Sequence, residues 1–338
     1  MITALLSCND NKRDGEFTKF PENILLDSRI IELEEYYMHG HFHVYDTLLF
    51  LTNTPGNPYQ VHVYDNNYHF IKSAGLIGAG PGEITNPFFA AVDDGSGILW
   101  FLDMGKQVFH KFVIDSLLNV ENYFPRTHFP ISDDKYIITQ YYPLTDNMFS
   151  YSDFNVTPPM ISFIDNSGSL VDSIIIYEDI AKGFGFNSSE IFLNTFLYHH
   201  HPEKDIIVLV HRFSDVIVII DHKGKVLATQ QGPDMINQTP DPTNNSQVSA
   251  HVALQADEAF IYALYRGNVV FDENNHLVYP KVIHVFNWEG EPVVSMQLEH
   301  ALTSFTLDEN NQRLIGFSLE TGNVVEYSLS AFFDQYKN

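Results

Sequence analysis

Cationic residues are scarce in this chain of 338 residues, which has 18 Lys and Arg against 43 Asp and Glu and a formal net charge of −25. Binding to nucleic acid depends on clustered cations that release counterions from phosphates, so the composition argues against a nucleic-acid partner. An anionic membrane surface would repel the chain for the same reason. No run of 18 apolar residues occurs, so the sequence predicts no transmembrane helix.

Cysteine is almost absent as well, since Cys8 is the single one, and this excludes an internal disulfide and a thiolate metal cluster. Its context, "ALLSC", places Leu5 three residues before the cysteine and Ser7 directly before it, and so resembles a bacterial lipobox. We therefore expect residues 1–8 to be a truncated signal peptide, Cys8 to be lipidated and residues 9–22 to form a tether. Membrane association is expected only through this lipid. A free cysteine in a disordered leader is the alternative.

The motifs of common catalytic and phosphate-binding sites are missing too. Gly-x-Ser-x-Gly does not occur, and no cysteine outside the leader could act as a nucleophile. The stretch "GAGPGE", Gly78 to Glu83, has the glycines of a phosphate loop, but such a loop needs a strand before it and a helix after it. Here Pro87 and a β-type alternation follow, so the stretch is predicted to connect two repeats.

Internal repeats are the main positive signal in the sequence. Short apolar strands that end in Asp or Asn and run into a turn recur at intervals of 50 to 66 residues, at Asp65, Asp115, Asp165, Asp221 and Asn287. A second pattern of strand, acidic turn and strand occurs in six copies. Each unit thus holds two hairpins, or four short antiparallel strands, which is typical of a β-propeller blade.

The repeats predict an all-β fold, a six-bladed β-propeller with four-stranded antiparallel blades, as a single domain over residues 23–334. The sixth copy ends near Phe333 without a full partner strand. Residues 23–35 have a strand-like pattern and could supply that strand, so that an N-terminal strand closes the ring and removes its free edges.

Two segments resemble a known family. "GAGPGEITNPFFAAVDDGSGILWFLDMGKQVFHKF", Gly78 to Phe112, resembles the repeat of NHL-type bacterial propellers. "KVIHVFNWEGEPV", Lys281 to Val293, is similar to the TolB-like six-bladed propellers of bacterial lipoproteins, and the resemblance extends from Leu25 to about Leu329. It implies a propeller in the cell envelope of a Gram-negative bacterium, lipid-anchored and either periplasmic or at the outer membrane. It implies no catalytic activity.

Three histidines form a candidate metal site. His39, His41 and His43 alternate in "HGHFH", so on a strand their imidazoles would point to one face and could ligate a divalent metal such as Zn²⁺. Solvated or hydrogen-bonded histidines in a loop are the alternative, and no other cofactor is expected.

Four further residues are candidates for ligand binding. Arg212 and Arg266 each lie just past a predicted strand, where a guanidinium could hold a carboxylate or a sugar at the mouth of the propeller. A salt bridge to a nearby acid is the alternative for both. Tyr141 and Tyr142 belong to an aromatic segment that we expect to form a long loop on one face.

We therefore expect a non-enzymatic binding or interaction module, whose partners are other envelope proteins, a small molecule or a glycan. One alternative is a hydrolase or lyase of the lactonase kind that uses a metal in the central channel. The other is a scaffold subunit of an envelope complex.

Overall fold

The computed structural model describes residues 13–16, 19–34, 40–52, 56–93, 95–121, 123–130, 138–145, 148–153, 159–176, 178–184, 196–238 and 247–337. Three short strands precede the blades: β1 (Arg13–Glu16), β2 (Asn23–Leu25) and β3 (Ser28–Ile31). Three short helices occur in the described residues, α1 (Ile114–Asn119), α2 (Glu178–Gly183) and α3 (Ser330–Tyr336). None of these helices is long and apolar enough to cross a membrane.

The remaining strands form six sheets, as the repeats predict. Blades one to three are built from β4 (His41–Tyr45), β5 (Leu48–Thr52), β6 (Tyr59–Asp65) and β7 (Phe70–Leu76); β8 (Pro87–Asp93), β9 (Ile98–Asp103), β10 (Val108–Val113) and β11 (Arg126–Pro130); and β12 (Ile138–Thr145), β13 (Met148–Asp153), β14 (Met160–Asp165) and β15 (Leu170–Ile175). Blades four to six are built from β16 (Phe196–His200), β17 (Ile206–His211), β18 (Ser214–Asp221) and β19 (Val226–Gln231); β20 (Val248–Ala256), β21 (Phe260–Val269), β22 (Val282–Asn287) and β23 (Pro292–Gln297); and β24 (Ser304–Asp308), β25 (Arg313–Ser318) and β26 (Asn323–Ser328). The fold is thus an all-β six-bladed propeller.

The first strand of each blade lies nearest the central axis, because first strands of neighbouring blades approach one another, as β4 does to β24 and to β8. All four strands within a blade are antiparallel. The ring therefore has two distinct faces. We call the end where the first strands begin the entry face, and it also carries the turns between second and third strands. The opposite end, the turn face, carries the turns between first and second strands and between third and fourth strands.

Asp or Asn at the end of a third strand shapes the recurring hairpin turn. One side-chain oxygen of Asp65, Asp165, Asp221 or Asn287 accepts hydrogen bonds from the backbone N–H groups two and four residues further on. In three of these turns a glycine follows, and Gly168, Gly224 and Gly290 have φ of 81°, 78° and 83°. A residue with a Cβ is disfavoured at such angles, so glycine is favoured there, although Tyr68 has φ of 68° at the equivalent position of the Asp65 turn.

An N-terminal segment closes the ring. β3 pairs antiparallel with β26 and completes the sixth blade, as the sequence predicts. The segment also makes two pairings that the sequence does not predict: β1 lies parallel to β19 on the outer edge of blade four, and β2, within the strand-like residues 23–35, lies parallel to β23 on blade five. We call residues 13–31 the strap. Part of the segment predicted as a tether thus lies against the propeller.

Apolar side chains from facing sheets fill the seams between blades. Between blades four and five, for example, Ile217, Ile219 and Ala228 pack against Ile261 and Phe286. The strap contributes Phe20 to this same cluster, where its ring lies 4.3 Å from that of His284 and 5.4 Å from that of Phe286. The seam between blades four and five is therefore held both by the blades and by the strap.

Candidate functional site

Arg212 lies on the entry face, in the two-residue turn that joins β17 to β18. Its side chain is exposed, and Phe213 beside it is half-buried. The carbonyl of Arg212 accepts a hydrogen bond of 2.7 Å from the N–H of Ala250 in β20. This turn of blade four is thereby fixed against the innermost strand of blade five.

Arg266 lies on the blade-five side of the same seam, near the end of β21. Between the pairs Ser249–Asn268 and His251–Tyr265 the register shifts, so that β21 has one residue more than β20. This bulge includes Gly267, which has φ of 60°. A Cβ on that residue would lie 2.5 Å from Cε1 of Tyr265. Bulges of this kind redirect a neighbouring side chain, and here the neighbour is Arg266.

The two arginines lie close enough to interact. Burial, followed by the positive charge of Arg212, lowers the pKa of Arg266 to about 10. Arg266 is still fully protonated at neutral pH. Among the described residues, neither guanidinium has an acidic group within ion-pairing distance, and Nε of Arg266 is buried with no hydrogen-bond partner. The salt bridges that were the alternative for these arginines are not formed there.

Two further buried polar atoms belong to residues of β20 that pair on either side of the bulge, and they have no hydrogen-bond partner among the described residues. They are Oγ of Ser249 and Nε2 of His251, both on β20. The other ring nitrogen of His251 lies 3.3 Å from the carbonyl oxygen of His211 across the seam. Burial lowers the pKa of His251 to about 4, so the ring is neutral at neutral pH. We call Arg212, Ser249, His251 and Arg266 the seam site.

The carboxylates of this seam are bound to other groups. Asp215 is buried and accepts hydrogen bonds from the N–H of Asp234 and from the side chain of Gln231. Asp234 accepts a bond of 2.6 Å from the hydroxyl of Tyr265. Burial, together with the charge of Asp234, raises the pKa of Asp215 to about 6. Neither acid forms an ion pair with Arg212 or Arg266 within the described part of the chain.

The two tyrosine candidates lie elsewhere. The aromatic segment expected as a loop is instead part of β12, so that expectation was wrong. Tyr141 is buried, and its hydroxyl donates a bond of 2.7 Å to the carbonyl of Trp100 in blade two. Tyr142 packs against Tyr198 and His199 of blade four, and burial raises its pKa. No clear alternation of apolar and polar residues is visible in β12, whose sequence is ITQYYPLT, and Pro143 within it is atypical of a strand.

Of the three histidines of the candidate metal site, His39 lies outside the described residues. His41 and His43 lie on β4, and Nε2 of His43 is 3.1 Å from Oγ1 of Thr52. Burial, and then the charge of His41, lowers the pKa of His43 to about 3. Within the described part of the chain, no three His, Cys, Asp or Glu residues are grouped as a metal site. Cys8 also lies outside the described residues.

The profile of the TolB-like six-blade propeller-like family matches residues 19–310. The chain belongs to this TolB-like family. The match spans the strap from Lys19 and most of the ring, in agreement with the resemblance seen in the sequence. No curated protein matches the chain.

Several solved structures are similar to this TolB-like protein in fold. A member of the DUF4221 family from Bacteroides vulgatus has a TM-score of 0.62 at 12% identity, over 90% of this chain and 95% of that one. A protein of Bacteroides fragilis NCTC 9343, provisionally described as exported, has a TM-score of 0.54 at 10% identity, over 94% of this chain and 98% of that one. The WD40 repeats of RRP9 have a TM-score of 0.53 at 8% identity, over 90% and 97%. At such identities the likeness shows the fold alone.

The sequence of this TolB-like propeller indicates the two arginines as candidates for ligand binding. It does not indicate Ser249, His251 or Asp215. Each of these lies in or beside a strand and has the spacing of an ordinary β residue. The one local signal was Arg266–Gly267 near the end of a long strand pattern, since an isolated glycine within a strand indicates a bulge or a close backbone approach.

Proposed function

We propose that this TolB-like propeller is an exported, lipid-anchored recognition protein of the bacterial cell envelope, which binds its ligand non-covalently at the seam site. The observation that supports it is the pair formed by Arg212 and Arg266. Two guanidinium groups without an acidic partner among the described residues are unusual in a chain with 43 Asp and Glu and a net charge of −25. The likeness to a Bacteroides fragilis protein described provisionally as exported, and the lipobox-like context of Cys8, support the location.

The place of the seam site in the fold also suits recognition. It lies on the entry face, where the turn at Arg212 meets the connection between blades four and five. Connections and turns on a rigid scaffold are the usual carriers of binding residues. The arginines come from two different blades, and each backbone is fixed by strand pairing or by the bond from Ala250 to Arg212. A pair held in this way needs little ordering when a ligand binds.

Hydrogen exchange tests the proposed function. Purified protein is incubated with the low-molecular-weight fraction of a Gram-negative cell-envelope extract, and exchange is followed by mass spectrometry. We expect slower exchange in residues 211–214 and 265–269, because a ligand at the seam site restricts both segments. The hairpin at residues 221–225 of the same blade lies on the turn face and serves as the internal control. Protection on the turn face alone, or in neither segment of the entry face, would contradict the proposal.

A further inference from the structure

We propose that the ligand of the seam site is an acidic sugar, whose carboxylate is held between the guanidinium groups of Arg212 and Arg266. This inference rests on the proposed function and adds the chemical class of the ligand. Three observations support it: the two arginines without an acidic partner among the described residues, the negative charge of the whole chain and the residues that border the arginines.

A carboxylate fits the two guanidinium groups. The planar fork of a guanidinium matches a carboxylate in geometry, and such charge-assisted bonds are stronger than neutral ones. The bond from Ala250 to the carbonyl of Arg212 holds the turn of blade four against β20, opposite the bulge that includes Arg266, and the charge of Arg212 lowers the pKa of Arg266. A bound anion removes this repulsion and also supplies an acceptor for the buried Nε of Arg266, which has no partner among the described residues.

The overall charge favours an anion of low charge. At −25 the chain repels anions at long range, and the repulsion grows with the charge of the ligand. A phosphate ester carries up to two negative charges near neutral pH, and a nucleotide carries more. A single carboxylate on an otherwise neutral molecule is therefore better suited to this site than a phosphate.

Groups that suit a sugar ring border the arginines. The half-buried side chains of Phe213 and Tyr279 provide aromatic surface on the two sides of the seam. Tyr279 is near enough to Arg266 to influence its pKa. Two amide side chains lie on the same rim: Gln238, whose backbone N–H donates to the carbonyl of Phe213, and Asn268 in the bulged part of β21. Amides and aromatic rings give a site the few placed polar groups and the apolar walls that small neutral rings require.

The test is a calorimetric titration of the full chain with D-galacturonate and D-glucuronate, and with their short oligomers. Galactose and glucose serve as neutral counterparts, and inorganic phosphate tests for a general anion site. The variants are Arg212→Gln and Arg266→Gln. The matched control is Lys281→Gln, which removes one positive charge from the same face, where Lys281 pairs with Glu320 at 3.0 Å.

We expect hexuronates to bind and the neutral sugars not to bind. Either arginine substitution should weaken binding by about 10- to 100-fold, the usual effect of losing one charge-assisted hydrogen-bonding group. Lys281→Gln should leave the affinity within about twofold, and rising salt should weaken binding to the wild type. Melting temperatures of all variants establish that they are folded, and Arg212→Gln is the safer variant because its side chain is exposed.

Two results would overturn the inference. One is hexuronate binding that is equally strong in Arg212→Gln and Lys281→Gln, and the other is phosphate binding as tight as hexuronate binding. If hexuronates fail to bind while the envelope extract still protects residues 211–214 and 265–269, the acidic-sugar class is wrong and the proposed function stands. If hexuronates do not bind and the envelope extract does not slow exchange in residues 211–214 and 265–269, the acidic-sugar class and the proposed function are both wrong.

Discussion

Histidine in this propeller serves mainly as a neutral hydrogen-bonding group in the interior. His43 bonds to Thr52, His62 lies 2.8 Å from Oγ of Ser73, and His200 lies 2.7 Å from Oγ of Ser150. Burial lowers the pKa of His43 and of His200 to about 3, so both rings stay uncharged near neutral pH. A neutral imidazole and a hydroxyl satisfy each other without placing a charge in the protein interior.

Asp215 is a buried acid whose protonation should contribute to stability in the accessible pH range. Its pKa is raised from 3.8 to about 6 by burial and by Asp234, so the folded state holds the proton more tightly than the unfolded chain does. The contribution of Asp215 to stability therefore increases by about 1 kcal/mol as the pH falls from 7 to 5, whereas buried histidines with a lowered pKa, such as His43 and His200, contribute with the opposite sign. Asp215→Asn mimics the protonated side chain and does not titrate, so the variant should lack this pH-dependent contribution to stability.

The measurement for Asp215 is the free energy of unfolding in urea at pH 5, 6 and 7, for the wild type and two variants. Asp221→Asn makes the same chemical change in an exposed hairpin of the same blade, where Asn287 fills the equivalent position of blade five. We expect it to keep the pH dependence of the wild type. A constant difference between wild type and Asp215→Asn across this range would refute the assignment.

At the scale of elements, the strap is the part of the chain that joins three blades. β1, β2 and β3 pair in turn with the outer strands of blades four, five and six. Between β1 and β2, Phe20 enters the seam and contacts His284, whose ring stacks on Tyr265 at 4.2 Å. Tyr265 in turn packs against His251 of the seam site, with ring centroids 5.7 Å apart. The strap and the seam site thus share one set of packed rings.

Truncation of Phe20 tests how much the strap contributes. Phe20 is 4% exposed, so Phe20→Ala should cost about 3–5 kcal/mol of unfolding free energy, the usual range for a buried phenylalanine. Phe124→Ala removes the same atoms from a ring that is 54% exposed and should cost under about 1 kcal/mol. Denaturant unfolding of both variants provides the comparison. Equal losses in the two would mean that the strap adds little to the stability of the ring.

For the whole molecule, the direction of the strap bears on how an anchored propeller would be oriented. β1 runs parallel to β19, a fourth strand that begins at the turn face, so the chain comes to β1 from that side. Cys8 precedes Arg13 by five residues, a reach of about 17 Å at full extension. A lipid on Cys8 would therefore hold the turn face toward the bilayer and leave the seam site directed away from it.

Labelling experiments test both the anchor and the orientation. Cells that express the full chain should incorporate labelled palmitate into the protein, and Cys8→Ala should abolish incorporation while the fold is kept. In membranes that carry the lipidated protein, a maleimide polymer should modify Asn268→Cys on the entry face faster than Lys223→Cys on the turn face. Palmitate incorporation that persists in Cys8→Ala would disprove the anchor, and faster modification of Lys223→Cys would disprove the orientation.

The sequence by itself determined the ring of six blades. The hairpin turns depend on local chemistry, because Asp165 and Gly168, for example, define their turn through bonds within five residues. The repetition of such turns sets the number of strands. Because the sixth repeat lacks a fourth strand, the sequence also predicts that an N-terminal strand pairs with β26. These features depend on contacts close in sequence or on periodicity, and both are visible in a linear chain.

Only the tertiary structure decided the register of the strap and the composition of the seam site. β1 and β2 are strands of four and three residues, and their pairing depends on the backbone partners that the open edges of β19 and β23 offer. Arg212 and Arg266 stand 54 positions apart in the sequence and come together because two blades pack face to face. Nε2 of His251 has no hydrogen-bond partner among the described residues. Whether a buried group finds a partner depends on atoms from several strands, and the spacing of residues along one strand does not reveal it.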